Sequence, residues 1–199
     1  MADLTVNGII NTGFTKGLKN AVAIAVNAIL WGLTIWIPYI NVGTTIGLFV
    51  GLPIKASRDE EISYTDIFDP AYRKWMGEVF LVWGFSSLGV AIGYALFFVP
   101  GIVIAIAWSL SSFLVVDKEM NPTEALGKSN SLTYGKKWTI FGGMLVLGII
   151  VAVVIMVVGW IFGLISSVLS TIIVLVIMAV ASSVFVSAWG YVYKTLAQE

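Results

Sequence analysis

Residues 138–193 read WTIFGGMLVLGIIVAVVIMVVGWIFGLISSVLSTIIVLVIMAVASSVFVSAWGYVY and contain no charged side chain. A membrane helix needs about 20 apolar residues to cross the hydrocarbon core of a bilayer. The stretch is 56 residues long, which is too long for one crossing and about right for two. Two further charge-free stretches, residues 20–54 and 79–116, have the same property.

The charged residues are confined to the four segments outside these stretches. All eleven basic and all eleven acidic residues lie there. An even number of crossings returns the chain to the side that it left, so the pattern places every charge on one side of the bilayer. Hydrophobic residues make up 59% of the chain and charged residues 11%, against about 25% charged in average soluble domains. The composition predicts an integral membrane protein with a single transmembrane domain.

Each charge-free stretch has a break near its middle, where proline or glycine interrupts a helix. The breaks lie at Ile37–Asn41, at Val99–Gly101 and around Gly159–Ser170. We therefore predict an all-α protein with six transmembrane helices arranged as three helical hairpins, joined by short amphipathic cytoplasmic helices. The hairpins are expected at 20–55, 78–116 and 138–193, and the connectors at 1–19, 56–77 and 117–137. The spans are expected at roughly 20–37, 42–55, 78–98, 101–116, 138–159 and 169–193, with the second span the shortest.

The distribution of basic residues predicts the orientation. Cytoplasmic loops carry an excess of Lys and Arg, and here all of them lie on the side of the termini. We expect a multi-pass protein of a prokaryotic cytoplasmic membrane with both termini in the cytoplasm and a first span that is retained as an anchor. Tryptophans are enriched at membrane interfaces. We expect Trp36 and Trp160 at the outer interface, and Trp75 and Trp138 at the inner interface.

The N-terminal segment has apolar residues at helical spacing. This spacing is typical of an amphipathic helix that lies on the membrane surface. The residues concerned are Val6, Ile9, Ile10, Phe14 and Leu18.

Three glycines, Gly43, Gly47 and Gly51, recur every four residues on the second span. Glycines at this spacing line one face of a helix and allow another helix to approach closely. They predict a packing face. Its partner is either the first span of the same chain, which a tight hairpin would place alongside, or another subunit.

Few side chains in the spans carry chemistry. Asn27 is the one amide or ionisable side chain well inside a span, and it is a candidate intramembrane polar site. The chain has no histidine or cysteine, and its acids occur in mixed clusters typical of solvated loops. The sequence therefore predicts no catalytic residue, cofactor site or metal site. A net charge of zero gives no electrostatic reason to expect nucleic acid binding.

The segment from Val99 to Trp138 carries a family resemblance. Its features are Pro100-Gly101, Trp108-Ser109, Val116-Asp117-Lys118-Glu119, Glu124-Ala125-Leu126-Gly127-Lys128-Ser129 and Gly135-Lys136-Lys137-Trp138. It resembles the YciC-like six-span prokaryotic integral membrane proteins, whose function is unknown. The resemblance implies the six-span layout and a prokaryotic source, and it supplies no functional residue.

Three functions are compatible with these patterns. The first is a non-enzymatic scaffold or accessory subunit that self-associates or joins a larger membrane complex, with the lipid bilayer and other membrane subunits as its partners. The second is a transporter or channel for a small solute or lipid, with a path lined by Asn27 and serines. The third is a membrane-shaping protein whose hairpins enter one leaflet, which the short second span favours.

Overall fold

The computed structural model describes residues 3–197, which are helical throughout apart from short turns and connectors and contain no β-strand. The connector between α3 and α4 (residues 58–75) contains two single turns, Asp66–Phe68 and Ala71–Lys74. The longer helices are α1 (Val6–Lys19), α2 (Ala21–Thr34), α3 (Pro38–Ser57), α4 (Met76–Leu96), α5 (Phe98–Lys118), α6 (Pro122–Thr133), α7 (Lys137–Gly163) and α8 (Ser167–Ala197).

Five of these helices, α3, α4, α5, α7 and α8, are long and apolar enough to cross a membrane. A sixth crossing exists only if α1 and α2 count as one span, and the chain bends by 84° between them. Residues 3–197 are all-α, as predicted, and their apolar helices suggest embedding in a membrane. The six-span arrangement of hairpins stays a prediction.

Two of the three expected breaks lie within their predicted ranges, and the second lies two residues before its range. The chain leaves helical structure at Ile37 and at Phe97, and the third break follows Gly163. Pro38 and Pro100 thus lie in the first turns of α3 and α5. Proline is favoured there because the first N–H groups of a helix have no partner within the helix. Both helices thus begin a few residues before the predicted starts at 42 and 101.

The relative lengths of the first two spans were predicted wrongly. The second span was expected to be the short one, yet α3 has 20 residues. The short helix is α2, whose 14 residues rise only about 21 Å. A π-helical turn, Gly47–Gly51, carries α3 through the glycine run, and Pro38 extends the helix at its N-terminal end.

The core lies at the end of the bundle that carries the ion pairs, which we call the charged face. The buried residues of α7 are Ile140, Gly143 and Leu147, all in its first half. Those of α8 all lie between Ser183 and Tyr193. The remaining lengths of α7 and α8 pack on each other and otherwise expose apolar side chains. Lipid tails solvate such surfaces as well as protein does, so no hydrophobic force closes the bundle there.

Helix α1 is part of this core and does not lie free on a surface. Ile9 is fully buried, whereas Leu18 is more than half exposed. A Cβ at Gly17 would lie 2.7 Å from Val184 Cα, and one at Gly13 would lie 3.2 Å from Val184 O. The two glycines allow α1 to pack directly on the backbone of α8, which the apolar spacing in α1 did not indicate.

The connector between α5 and α7 contains a capped helix, α6. The Asn121 side chain accepts a hydrogen bond from the Thr123 N–H at 3.2 Å, and Pro122 begins α6. This is a favoured helix start, in which a short polar side chain satisfies an N–H group that has no partner in the helix.

Candidate functional site

Asn27 lies on the buried side of α2 and is hydrogen-bonded to the connector between α3 and α4. Its side-chain N–H₂ donates to Ser63 O at 2.7 Å and to Ala23 O at 2.8 Å, and its Oδ1 accepts from the Ile67 N–H at 3.1 Å. The residue is completely buried. Both donor hydrogens and the acceptor of its amide are thus used in fixing the connector against α2.

Replacing Asn27 with alanine should destabilise the protein by about 1–3 kcal/mol, because the buried Ile67 N–H loses its acceptor. The measurement is the free energy of unfolding in detergent. Asn11→Ala is the matched control, since Asn11 lies on the exposed side of α1 and its replacement should change little. Equal stabilities for the two variants would contradict the structural role of Asn27.

The glycine run of α3 packs against the connector, whereas the partners considered from the sequence were the first span and another subunit. A Cβ at Gly43 would lie 2.8 Å from Arg73 Cγ, and one at Gly47 would lie 2.8 Å from Ile67 Cα. At Gly51 the Tyr72 ring occupies the place of a side chain. Asn27 explains the difference, because it draws the connector into the space that faces the glycines.

The four predicted anchor tryptophans are at the surface or close to it. Trp36, in the turn between α2 and α3, is 88% exposed. Trp138 and Trp160, near the two ends of α7, are also exposed. Trp75 is partly buried, and the Lys74 ammonium lies 4.5 Å from the centre of its ring. Their positions relative to the membrane interfaces stay predictions.

Asp117 is the buried centre of a charge cluster that the sequence analysis did not single out. Its side chain is only 1% exposed. It accepts hydrogen bonds from the Arg58 guanidinium and, at 2.6 Å, from the Tyr193 hydroxyl, and Lys118 Nζ lies 3.5 Å away. The cluster joins the C-terminal ends of α5 and α8 to the end of α3. The sequence carries no local signal for it, because its members are 59 and 76 residues apart.

A second ion-pair cluster is more exposed. The Asp59 carboxylate pairs with Lys16 and, at 2.8 Å, with Lys194. The hydrogen bonds from these two lysines lower the pKa of Asp59 to about 2. The cluster ties α1 and α8 to the residue that follows the end of α3, so the three segments meet at the charged face.

The Ser129 side chain on α6 bonds to backbone groups that an interruption of α5 leaves without helical partners. The helix is interrupted between Ala107 and Ser111. The buried Ser129 hydroxyl donates to Ala107 O at 2.7 Å and accepts from the Leu110 N–H at 3.1 Å. Buried backbone groups need partners of this kind, so Ser129 docks α6 onto the interrupted helix. No role for Ser129 was predicted from the sequence.

Ser129→Ala should cost about 1–3 kcal/mol, because it leaves the buried Leu110 N–H without its acceptor and the Ala107 carbonyl with only the Thr133 hydroxyl at 3.5 Å. We expect a lower unfolding midpoint in detergent. Ser131→Ala is the control, since the exposed Ser131 hydroxyl donates only to Lys128 O of its own helix. A midpoint for the Ser129 variant as high as that of the control would show that the gap needs no side-chain partner.

An apolar groove of about 880 Å³ lies between α2, α3 and α8. Small residues in its wall include Ala28, Gly32, Ala179 and Ser182. Trp31 also contributes to the wall, and its indole N–H is already bonded to the Thr45 hydroxyl at 2.8 Å. Closer to the charged face α3 and α8 are in direct contact, since a Cβ at Gly190 would lie 2.7 Å from Pro53 O.

A smaller cavity of about 230 Å³ opens at the charged face and contains Lys55, Arg58, Tyr72 and Asp117 in its wall. The charged side chains in its wall form ion pairs within the chain: Lys55 pairs with Asp66 at 2.9 Å, and Arg58 pairs with Asp117. Burial, with Asp66 nearby, raises the pKa of Tyr72. Among residues 3–197 no group of three or more acidic, His or Cys side chains converges as metal ligands would.

These sites differ in what they can do. The polar groups around Asn27, Asp117 and Ser129 bond to one another and to the backbone, so they hold segments together. The groove instead presents apolar surface and small side chains, which suit a lipid tail or a helix as occupant.

Comparison with known proteins gives no further guide to the site. No family model matches the chain, and no curated protein or solved structure matches it. The resemblance of residues 99–138 to the YciC-like proteins stays a prediction from sequence.

Proposed function

We propose that the protein is a non-enzymatic membrane scaffold or accessory subunit, which binds a transmembrane helix of another subunit or of a second copy in the groove between α2, α3 and α8. The observation that carries this proposal is the line of small residues in the groove. A Cβ at Gly32 would meet no atom within 4 Å, and Ala28 precedes it by one helical turn. Small residues four positions apart let a second helix approach closely in a membrane.

The distribution of small residues favours the groove, and not the glycine run of α3, as the surface that binds a partner helix. Gly43, Gly47 and Gly51 are all covered by the connector, so they have no free face for another subunit. Ala28 and Gly32 border the groove. The packing face predicted from the glycine spacing thus serves the interior, and a different small-residue pair is left for a partner.

Gly32→Leu tests the proposal, because it fills the groove without a clash inside the chain. We expect the variant to keep its thermal stability and to lose the association that the unaltered chain shows in native membranes. Gly84→Leu is the matched control, since a Cβ at Gly84 also meets no atom within 4 Å and Gly84 lies on α4, outside the groove.

Cross-linking identifies the partner. The chain has no cysteine, so single-cysteine variants at Gly32 and, as control, Gly84 carry a photo-reactive label at one site each. We expect adducts from position 32 only, with a mass that separates a second copy from a different subunit. A monomer without adducts at position 32 in its native membrane would overturn the proposal.

We further propose that the charged face is cytoplasmic, in a prokaryotic cytoplasmic membrane. All lysines and arginines lie outside the charge-free stretches, and those that form ion pairs lie on that face, which is the distribution that the positive-inside rule associates with the cytoplasm. Transport of a polar solute along Asn27 has less support, because the amide of this residue is buried and fully bonded to the connector and to its own helix.

A further inference from the structure

We propose that the first hairpin, α2 with α3, does not cross the bilayer and instead inserts its apolar turn among the acyl chains of the leaflet at the charged face. The hairpin extends only a short distance beyond the charged connector, and this distance does not depend on the groove or on any partner subunit.

The connector marks the level of the headgroups. Residues 58–74 carry eight charged side chains, and burying charges in hydrocarbon is costly. Helix α4 starts directly after it, at Met76, and has 21 residues, which span about 31 Å. A hydrocarbon core of about 30 Å uses this whole length, so Arg73 and Lys74 lie at the headgroups when α4 crosses.

Two contacts place the hairpin at this level. The aliphatic part of Arg73 lies against Gly43 of α3, at 2.8 Å from the position of a Cβ. Asn27 of α2 is bonded to Ser63 and Ile67 of the connector. Both helices are therefore level with the connector well before they reach their common turn.

The length that remains beyond these contacts is short. From Asn27 to Thr34 α2 rises about 10 Å, and from Gly43 back to Pro38 α3 rises about 8 Å, at about 1.5 Å per residue. The two values agree although they come from different helices and different contacts. A reach of this size covers about one third of a core of about 30 Å.

The turn itself has the surface of a membrane insert. The exposed fraction is 88% for Trp36, 69% for Leu33 and 65% for Tyr39, and Ile35 and Ile37 are each about half exposed. No charged residue lies between 20 and 54. Apolar and aromatic side chains of this kind partition into the boundary between headgroups and acyl chains. The partner that suits the turn is therefore the acyl chains of one leaflet.

The other two hairpins provide internal controls. The turn between α4 and α5 follows a helix of 21 residues, and the turn between α7 and α8 follows one of 27 residues. The segments from Met76 to Leu96 and from Trp138 to Gly163 contain one charged residue, Glu78, which lies in the first turn of α4. Both helices are long enough to place the turn that follows them at the far face of the membrane.

Labelling of single cysteines decides the depth. The variants are Tyr39→Cys in the first turn, Ile165→Cys in the last turn and Glu61→Cys in the connector, each treated with a membrane-impermeant maleimide in right-side-out and inverted vesicles. We expect the thiols at positions 61 and 165 to react from opposite sides. The thiol at position 39 should not react from the side that labels position 165. Its reaction from that side would overturn the proposal.

A nitroxide attached at position 36 gives a second measure that needs no labelling from water. Depth is read from relaxation by oxygen and by a polar nickel complex, with a nitroxide at position 165 for comparison. We expect a depth of about 10 Å below the headgroups of the charged face. A position at the far headgroups would overturn the proposal, and unfolding midpoints identify any variant that has not folded.

Discussion

Gly17→Ala is expected to displace α1 from the bundle. The added Cβ would lie 2.7 Å from Val184 Cα and 2.9 Å from Ser183 O, and backbone atoms of a packed helix cannot move aside as a flexible side chain does. Overpacking typically costs about 1–3 kcal/mol, and Gly17→Leu should cost more. The measurement is the free energy of unfolding in detergent, together with proteolysis of α1.

The control for this prediction is Gly142→Ala on α7. Its Cβ would lie 3.6 Å from Val6 Cγ2, an ordinary van der Waals contact, so α1 stays docked. Helix propensity favours alanine over glycine by about 1 kcal/mol at both positions, and this gain does not separate the variants. Equal stability of the Gly17 and Gly142 variants would mean that α1 is not held tightly against α8.

Arg58→Met is expected to destabilise the protein by about 3 kcal/mol, the lower end of the cost of breaking a buried ion pair. Asp117 is 1% exposed and keeps the Tyr193 hydroxyl as a hydrogen-bond donor and the Lys118 ammonium as a neighbouring cation. The lower end applies because Arg58 itself is 43% exposed. The readout is the unfolding midpoint in detergent at neutral pH.

Two further variants test the cause. Lys74→Met breaks an exposed pair with Glu119 and should cost less than about 1 kcal/mol. In the double variant Arg58→Met with Asp117→Asn the buried charge is gone, and stability should recover in part while the amide still accepts from Tyr193. A double variant less stable than Arg58→Met would show that the guanidinium acts through packing and not through charge.

The class of the fold was predictable because membrane burial leaves a strong trace in sequence. Charge-free runs and prolines located the apolar helices to within a few residues. The lengths of α2 and α3 were not, since Pro38 reads as a break in sequence and proves to be the first residue of a helix.

Residues that join distant segments were the part that sequence did not supply. Asn27 was singled out for its position, yet its bonds to Ser63 and Ile67 depend on where the connector folds. Asp117 and Ser129 have no local signal at all, because an acid in a charged loop and a serine on an amphipathic helix are usually solvated. Their burial arises only when three or more helices meet.

The sequence by itself determined that the chain forms helices apolar enough to be embedded in a membrane, because the cost of placing a charge in hydrocarbon acts on every residue separately. That its charges all lie on one side of the bilayer stays a prediction. The tertiary structure decided which small residues are covered, which polar groups are bonded and how far the first hairpin extends beyond the connector. These properties depend on contacts such as those of Gly43 with Arg73 and of Asn27 with Ser63. Such contacts are set by packing between segments, which the order of residues along one helix does not record.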